Sequence, residues 1–278
     1  MCRVLGVSKS GYYKWLDSQH KVSDKEAYRK ELRQKIKKSF HESGGTYGSP
    51  RIHHDLVEWG YSVSQKTVAR LMAEMGLSAT AGKKFVTTTD SAHALHIYPN
   101  LLDQKFRVSH PNQAWVTDIT YLWTLEGWVY LASVMDLFSR KIVGWSMNQQ
   151  IRKELPLQAL NMALTLRSPA DGFIHHSDRG SQYCSNKYIQ TLRDHNSQIS
   201  MSRKGNPYDN ACIESFHASL KKDLIYRRRF KSRKEAIRAV NHYISSFYNE
   251  RRKHSTLGYQ SPNQFERKSR KQDALAAQ

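Results

Sequence analysis

The chain has 278 residues, enough for two domains of unequal size, and 39% of them are hydrophobic, enough to build a core. Lys and Arg number 44 against 24 Asp and Glu, a formal net charge of +20; so large an imbalance suits a polyanionic partner, nucleic acid first and an anionic membrane second, with a merely solubilising surface as the alternative. Three cysteines without CxxC spacing exclude a disulfide framework, no apolar run reaches the roughly 18 residues of a membrane span, and the first residues lack the apolar stretch of a signal peptide, so a cytoplasmic protein is expected.

Residues 1–77 read as helices. The segment GVSKSGYYKWL is similar to the closing half of a helix-turn-helix, a weak signal. Ser23 and Glu26 form a capping box opening a helix whose apolar positions are Ala27, Leu32, Ile36 and Phe40. After GGTYGS, Ser49 and Pro50 predict the N-cap and first turn of a helix ended by Gly60. Ser64 caps the next helix, which stops at Gly76. Two short helices joined so tightly read as a helix-turn-helix or as an ordinary helical hairpin. In the first reading Gln65, Lys66, Thr67 and Arg70 are candidate DNA contacts, being groove-reading and phosphate-contacting residue types. Residues 78–110 lack periodicity and read as a linker.

From Trp115 the pattern changes to strands. WVTDITYL, WVYLASVMDL and IVGWSM, separated by LEG and SRK, predict an antiparallel meander. A helix over about Leu155–Arg167 follows, then a fourth strand in FIHHSD, a helix over Ser185–His195 and a fifth strand in ISMS. Helices are expected over about Asn210–Leu224 and, opened by a Ser232–Glu235 capping box, to about Asn249. Residues 271–278 read as a basic, frayed tail.

Three acids stand out. Asp118 lies among Trp, Val, Ile and Tyr in a strand, where carboxylates are rare; a solvent-facing position is the plain alternative. Asp178 ends a strand before a glycine-containing loop, a place also filled by ordinary turn aspartates. Glu214 lies in the first turns of a helix whose core stripe is Ile213, Phe216, Leu220 and Leu224. Glu214, His217 and Lys221 fall on a neighbouring stripe at i, i+3 and i+7. Carboxylates delivered by strands and a helix suit a hard cation such as magnesium, and two such ions serve phosphoryl transfer. The pair His175–His176 suggests zinc, yet has no zinc-site spacing with Cys184 or Cys212, and adjacent strand residues face opposite ways. Asp136 reads as structural or as supporting the site. The runs Arg227–Arg229 and Arg251–Lys253 read as phosphate contacts, with solvated charge as the alternative.

WVTDITYL, HHSDRGSQY and NPYDNACIESFHASLKKDL, in that order, resemble the DDE core of second-frame (orfB-type) transposases of bacterial insertion sequences, insertion-sequence family three, within the retroviral-integrase superfamily. Thirty-five residues lie between Asp178 and Glu214, the interval that marks that superfamily. GTYGSPRIHHDL, KTVARLMAEMGL and YNERRKHSTLGYQSPNQFE extend the resemblance over nearly the whole chain. The resemblance implies an α/β fold: an RNase H-like catalytic domain over 111–270, with a mixed five-stranded sheet flanked by helices, preceded by an all-α helix-turn-helix-like region. It implies that Asp118, Asp178 and Glu214 are catalytic and bind Mg2+, with Mn2+ as a substitute and two ions involved. It gives Lys221 a contact with the element's terminal DNA, and makes His217, Tyr183 and Asn210 candidate DNA contacts. The implied reaction is cleavage and strand transfer at the ends of an insertion sequence, without a covalent protein–DNA intermediate. The implied partners are terminal repeats, target DNA, further copies of the chain, and an upstream-frame product joined by frameshifting; the chain has no heptad run of the kind that product's zipper would supply. A non-catalytic DNA-binding repressor or inactive relic is the competing reading, and a general RNase H-like nuclease is a third.

Overall fold

The computed structural model describes residues 4–18, 24–79 and 95–276, so Ser23 of the expected capping box and residues 80–94 of the expected linker lie outside the described residues. The chain divides into two compact units, Met1–Thr80 and Ala81–Gln278.

The first unit is all helical: α1 (Lys9–Ser18), α2 (Asp24–Glu42), α3 (Ser49–Glu58) and α4 (Gln65–Glu74). Leu32 and Ile36 of α2, Ile52 and Leu56 of α3, and Val68, Leu71 and Met72 of α4 are buried. These positions recur every three or four residues, so each helix turns one stripe inward. The N-cap of α3 is Gly48, not Ser49, and no side chain caps it; Pro50 in the first turn needs no donor there. Ser64 caps α4 as expected, its hydroxyl accepting from the Thr67 amide.

The second unit is built on one sheet: β1 (Ala114–Thr124), β2 (Gly127–Asp136), β3 (Ile142–Asn148), β4 (Ile174–Ser177) and β5 (Gln198–Met201), in the order β3-β2-β1-β4-β5. The first three are antiparallel; β4 pairs parallel with β1, and β5 with β4. This is the expected mixed sheet. Alternation along the strands feeds two cores. On one face Trp115, Ala132, Val134 and Val143 pack under α5 (Glu154–Arg167) and α6 (Asn186–Asp194). On the other, Val116, Leu122, Leu131 and Met135 pack under α7 (Ala211–Asp223) and α8 (Arg233–His242). Gly144 lets α5 approach closely: a Cβ there would strike the Ala159 carbonyl and lie 2.8 Å from the Ala163 Cβ.

Three expectations change. The helix expected to run to about Asn249 gives way to a π-helical turn over Tyr243–Tyr248, a local widening that keeps Tyr243, Ile244 and Tyr248 all buried. The tail expected to fray from 271 is helical through Ala276, in α9 (Pro262–Ala276). Its anchor is Glu266, whose carboxylate accepts from Arg167 at 2.8 and 3.0 Å and from Ser139 at 2.8 Å. Arg167 also donates to Asp136 at 2.8 Å. Arg167 therefore ties β2, α5 and α9 together, and burial raises the carboxyl of the fully buried Asp136 above the ordinary value despite its donors. Lastly, Arg252, expected to contact phosphate, is buried with its guanidinium on Asp223 at 2.8 Å and Ser219 at 3.0 Å.

Candidate active site on the central strand

Asp118 sits at the middle of β1, on the face that carries Val116 and Leu122, under α7. Strand β4 follows β1 in parallel register as far as Val116↔His176. Asp178 stands one position past the end of β4, two residues beyond His176, where the same register continued would set it opposite Asp118. Asp178 then turns the chain, Oδ1 accepting from the Gly180 amide at 2.9 Å. Because β4 has ended, the Thr117 carbonyl needs another donor, and Asn210 supplies it at 3.0 Å from its side-chain nitrogen. That bond fixes the start of α7 against β1.

The loop before α7 is held still more firmly. Asp209, fully buried, accepts from the Arg203 backbone and guanidinium at 2.7–2.9 Å, from Asn100 at 3.0 Å and from Gln104 at 2.8 Å. The Arg203 guanidinium, followed by those other donors, holds its carboxyl far below the usual carboxylate range. Sequence reading passed over Asp209; its only signal is an acid between Pro207 and the helix start. Arg203 lies six residues before it, whereas Asn100 and Gln104 come from a stretch more than a hundred residues earlier.

Helix α7 then presents its stripe to Asp118. The His217 Nδ1 lies 3.3 Å from Asp118 Oδ2, and its Nε2 lies 2.8 Å from the Ser133 hydroxyl on β2, the residue paired with Asp118. An Nδ1 proton donated to the carboxylate leaves Nε2 to accept from Ser133, which locks the ring. One turn earlier, Glu214 has its carboxyl raised, first by burial and then by the charge of Asp118. One turn later, the Lys221 ammonium lies 4.7 Å over the Tyr121 ring. Burial lowers its pKa, while Asp118 works in the opposite direction. Asp118 is thus the hub, electrostatically joined to Glu214, His217 and Lys221. Asp178 shares its surroundings: after burial, Asp118 and Asp178 are both among the charges that hold Tyr183 in its neutral form.

Four expected DNA contacts are placed differently. Tyr183 is 1% exposed and packs edge-on against Tyr188 at 5.4 Å, in the core under α6. His217 is 2% exposed and touches Asp118 and Ser133. Asn210 is buried on the Thr117 carbonyl, and the Lys221 side chain is buried on Tyr121. In this structure these side chains touch protein, and Tyr183 belongs to the core under α6. Gln65, Lys66 and Arg70 of α4 are exposed, whereas Thr67 is half-buried and bonded to Ser64. The two histidines divide as strand alternation requires. His175 meets the Tyr188 hydroxyl at 3.2 Å, and His176 meets Ser200 at 2.8 Å and Ser202 at 3.0 Å. Burial pushes their pKa values down to about 3 and about 4, so both are neutral core residues.

Among the described residues no three carboxylate, imidazole or thiol side chains are already gathered into a set that could hold a metal ion. The donor chemistry nevertheless fits a hard divalent cation: the acids around Asp118 offer oxygen alone, and Glu214 has its carboxyl raised by burial and then by the charge of Asp118. Among the described residues no helix is long and apolar enough to cross a membrane.

Comparison with known proteins agrees with this architecture. Residues 27–85 match a family described as an HTH-like domain, and residues 108–207 and 195–262 match integrase core domain families. The chain is similar to the IS600 insertion element's uncharacterized 31 kDa protein of Shigella sonnei, at 45% identity over 96% of this chain and 98% of that one. It is equally similar to transposase InsF for insertion sequence IS3A of Escherichia coli (strain K12), at 45% identity over 97% of this chain and 93% of that one. Among solved structures, the HTLV-2 integrase catalytic core domain in complex with magnesium is similar at 16% identity and a TM-score of 0.43, covering 56% of this chain and 97% of that one. With that identity sustained from the helical unit through the sheet that carries the acids, the chain belongs to the IS3-family transposases, DDE polynucleotidyl transferases built on an integrase core.

Proposed function

We propose that this chain cleaves and joins DNA strands at the ends of an insertion sequence, with Asp118, Asp178 and Glu214 as its catalytic and metal-binding carboxylates. What supports this reading is the convergence on Asp118: His217 lies 3.3 Å from its carboxylate, Glu214 sits one turn earlier on the same stripe with its carboxyl raised by burial and then by the charge of Asp118, and Asp178 follows the end of β4, the strand beside β1. The three acids would hold two Mg2+ ions, with Mn2+ as a substitute. When bound, such ions supply Lewis acidity to the phosphate and lower the pKa of the attacking hydroxyl. The protein's own part is to hold the carboxylates ready. His217 orients Asp118, Asn210 anchors Glu214's helix on β1, and Asp209 clamps the loop before it. Lys221 and the exposed cations contribute positive potential along the DNA backbone. In the helical unit, Gln65, Lys66 and Arg70 at the exposed start of α4 are proposed to meet the terminal repeat, and Thr67 to cap that helix. Two element ends must be handled together, which favours more than one copy on the DNA.

The test is strand transfer by the purified chain on labelled DNA with a pre-exposed 3′-hydroxyl at the element's end. It is run with magnesium, with manganese and with EDTA, beside Asp118→Asn. Metal-dependent joining that Asp118→Asn abolishes supports the reading. Joining that persists at the parent rate in Asp118→Asn or Glu214→Gln removes the carboxylate assignment.

A further inference from the structure

The tip of the β1–β2 hairpin carries two tryptophans that neither the fold nor the acids use fully. Trp123 is 54% exposed, Trp128 44%, and Leu125 between them 69%. The two indoles are cross-strand partners with ring centres 4.7 Å apart and planes at 73°. Trp128 also meets Tyr121 edge-on at 5.1 Å, and Tyr121 lies under the Lys221 ammonium. A chain of contacts therefore runs from the acids to the tip. Along β1 the five residues from Asp118 to Trp123 span about 17 Å.

The surroundings are cationic by construction. The Leu125 amide bonds the Phe230 carbonyl at 3.0 Å, so the exposed Arg228 and Arg229 lie beside the tip. Arg233 straps the turn, its Nε 3.3 Å from the Trp128 carbonyl and its guanidinium against Gly127. The nearby acids are turned to backbone amides instead: Glu126 accepts from the Arg233 amide and Glu235 from the Lys231 amide, both at 2.8 Å.

We propose that Trp123 and Trp128 form a stacking platform for an unpaired base of the DNA substrate. This rests on the reading of the chain as an enzyme that acts on DNA. A cross-strand tryptophan pair also staples a hairpin. Stapling explains the edge-to-face contact between the rings, but not why both indoles stay half in water among arginines. An indole face accepts any base, and guanidinium groups around it take the flanking phosphates. Within a duplex each base face is already covered by its neighbours, so the platform selects single-stranded or frayed nucleotides.

The experiment compares binding of the full chain, in EDTA, to a blunt duplex and to the same duplex with a single-stranded tail carrying a fluorescent purine. Trp123→Leu and Trp128→Leu keep apolar contact in the hairpin but remove the stacking face; Trp128→Phe retains a smaller one. The parent is expected to favour the tailed DNA. That advantage should fall roughly tenfold or more in the double leucine variant, with blunt-duplex affinity unchanged, and be partly kept in Trp128→Phe. A parent that shows no preference for the tail, or a double variant that weakens both DNAs equally, overturns the proposal. So does a double variant that keeps the tail advantage while the free protein changes its oligomeric state; the tryptophans would then join copies of the chain. Strand transfer assayed in parallel separates the two readings. A parent chain with the tail advantage but no metal-dependent joining rejects only the catalytic assignment, and a parent chain that joins strands without any tail advantage rejects only the platform.

Discussion

His217→Ala isolates the part of the site that belongs to the protein alone. The ring is buried, joins Asp118 at 3.3 Å to Ser133 at 2.8 Å, and packs beside Phe216. Its removal leaves a buried hydroxyl without that partner and a carboxylate with one donor fewer. A lost hydrogen bond to a charged group, with a small cavity, costs about 3 kcal/mol. For a unit of this size that corresponds to a fall in Tm of roughly 6–12 °C, readable by scanning fluorimetry. The functional effect is distinct from unfolding. A group that orients a metal-binding carboxylate typically changes metal affinity or activity by about 10- to 100-fold. His217→Ala should therefore need more magnesium for half-maximal strand transfer at a temperature where it is fully folded. His217→Gln, which can still donate to Asp118, should recover part of that loss, whereas Ser133→Ala should cost only about 1 kcal/mol and shift the metal titration little. A folded His217→Ala with the parent's magnesium dependence would refute the orienting role.

Two further outcomes follow from single contacts. Glu214→Gln should raise the Tm of the metal-free chain at neutral pH. Burial and Asp118 raise the folded carboxyl above its unfolded value, so ionising it costs stability, a cost present above the folded pKa and absent below the unfolded one. The gain should vanish as pH falls below the ordinary glutamate range; equal Tm values across the whole range would contradict the site's electrostatics. Gly144→Ala should destabilise by about 3 kcal/mol, lowering Tm by roughly 6–12 °C, because the new methyl meets the α5 backbone rather than a movable side-chain end. An unchanged melting curve would mean that β3 and α5 are not packed so closely.

Alternation and capping made the sheet and most helix boundaries legible, because each depends on neighbours a few residues apart. The Ser232 cap illustrates both reach and limit. Its hydroxyl accepts from Glu235's amide as a capping box requires, but the Glu235 carboxylate returns to the amide of Lys231, one residue further out. The stripe of Glu214, His217 and Lys221 was likewise legible from helical spacing, and all three do face Asp118. The burial of His217 and Lys221 was not, since it depends on β1 passing beneath the helix. Tyr183 fails for the same reason. A tyrosine just after an acidic loop looks accessible in one dimension, and only the approach of α6 encloses it. Asp209 was only half legible: Arg203 lies six residues away, but Asn100 and Gln104, 109 and 105 residues away, give no local pattern.

The buried positions around Asp118 also explain how one strand can carry both fold and chemistry. Val116 and Leu122 give β1 its apolar grip on the core under α7, while Asp118 interrupts that face with a charge. Such a charge is stable there only with partners, and the chain supplies them unequally: His217 donates directly, Lys221 acts through space, and Glu214 adds repulsion. Glu214 itself is exposed, because α7 packs through Ile213, Phe216 and Leu220 and leaves this acid on the open side of the helix. An exposed acid beside the charge of Asp118, on a helix pinned by Asn210 and preceded by an Asp209 clamp, is held where a cation arriving from solvent would relieve that repulsion.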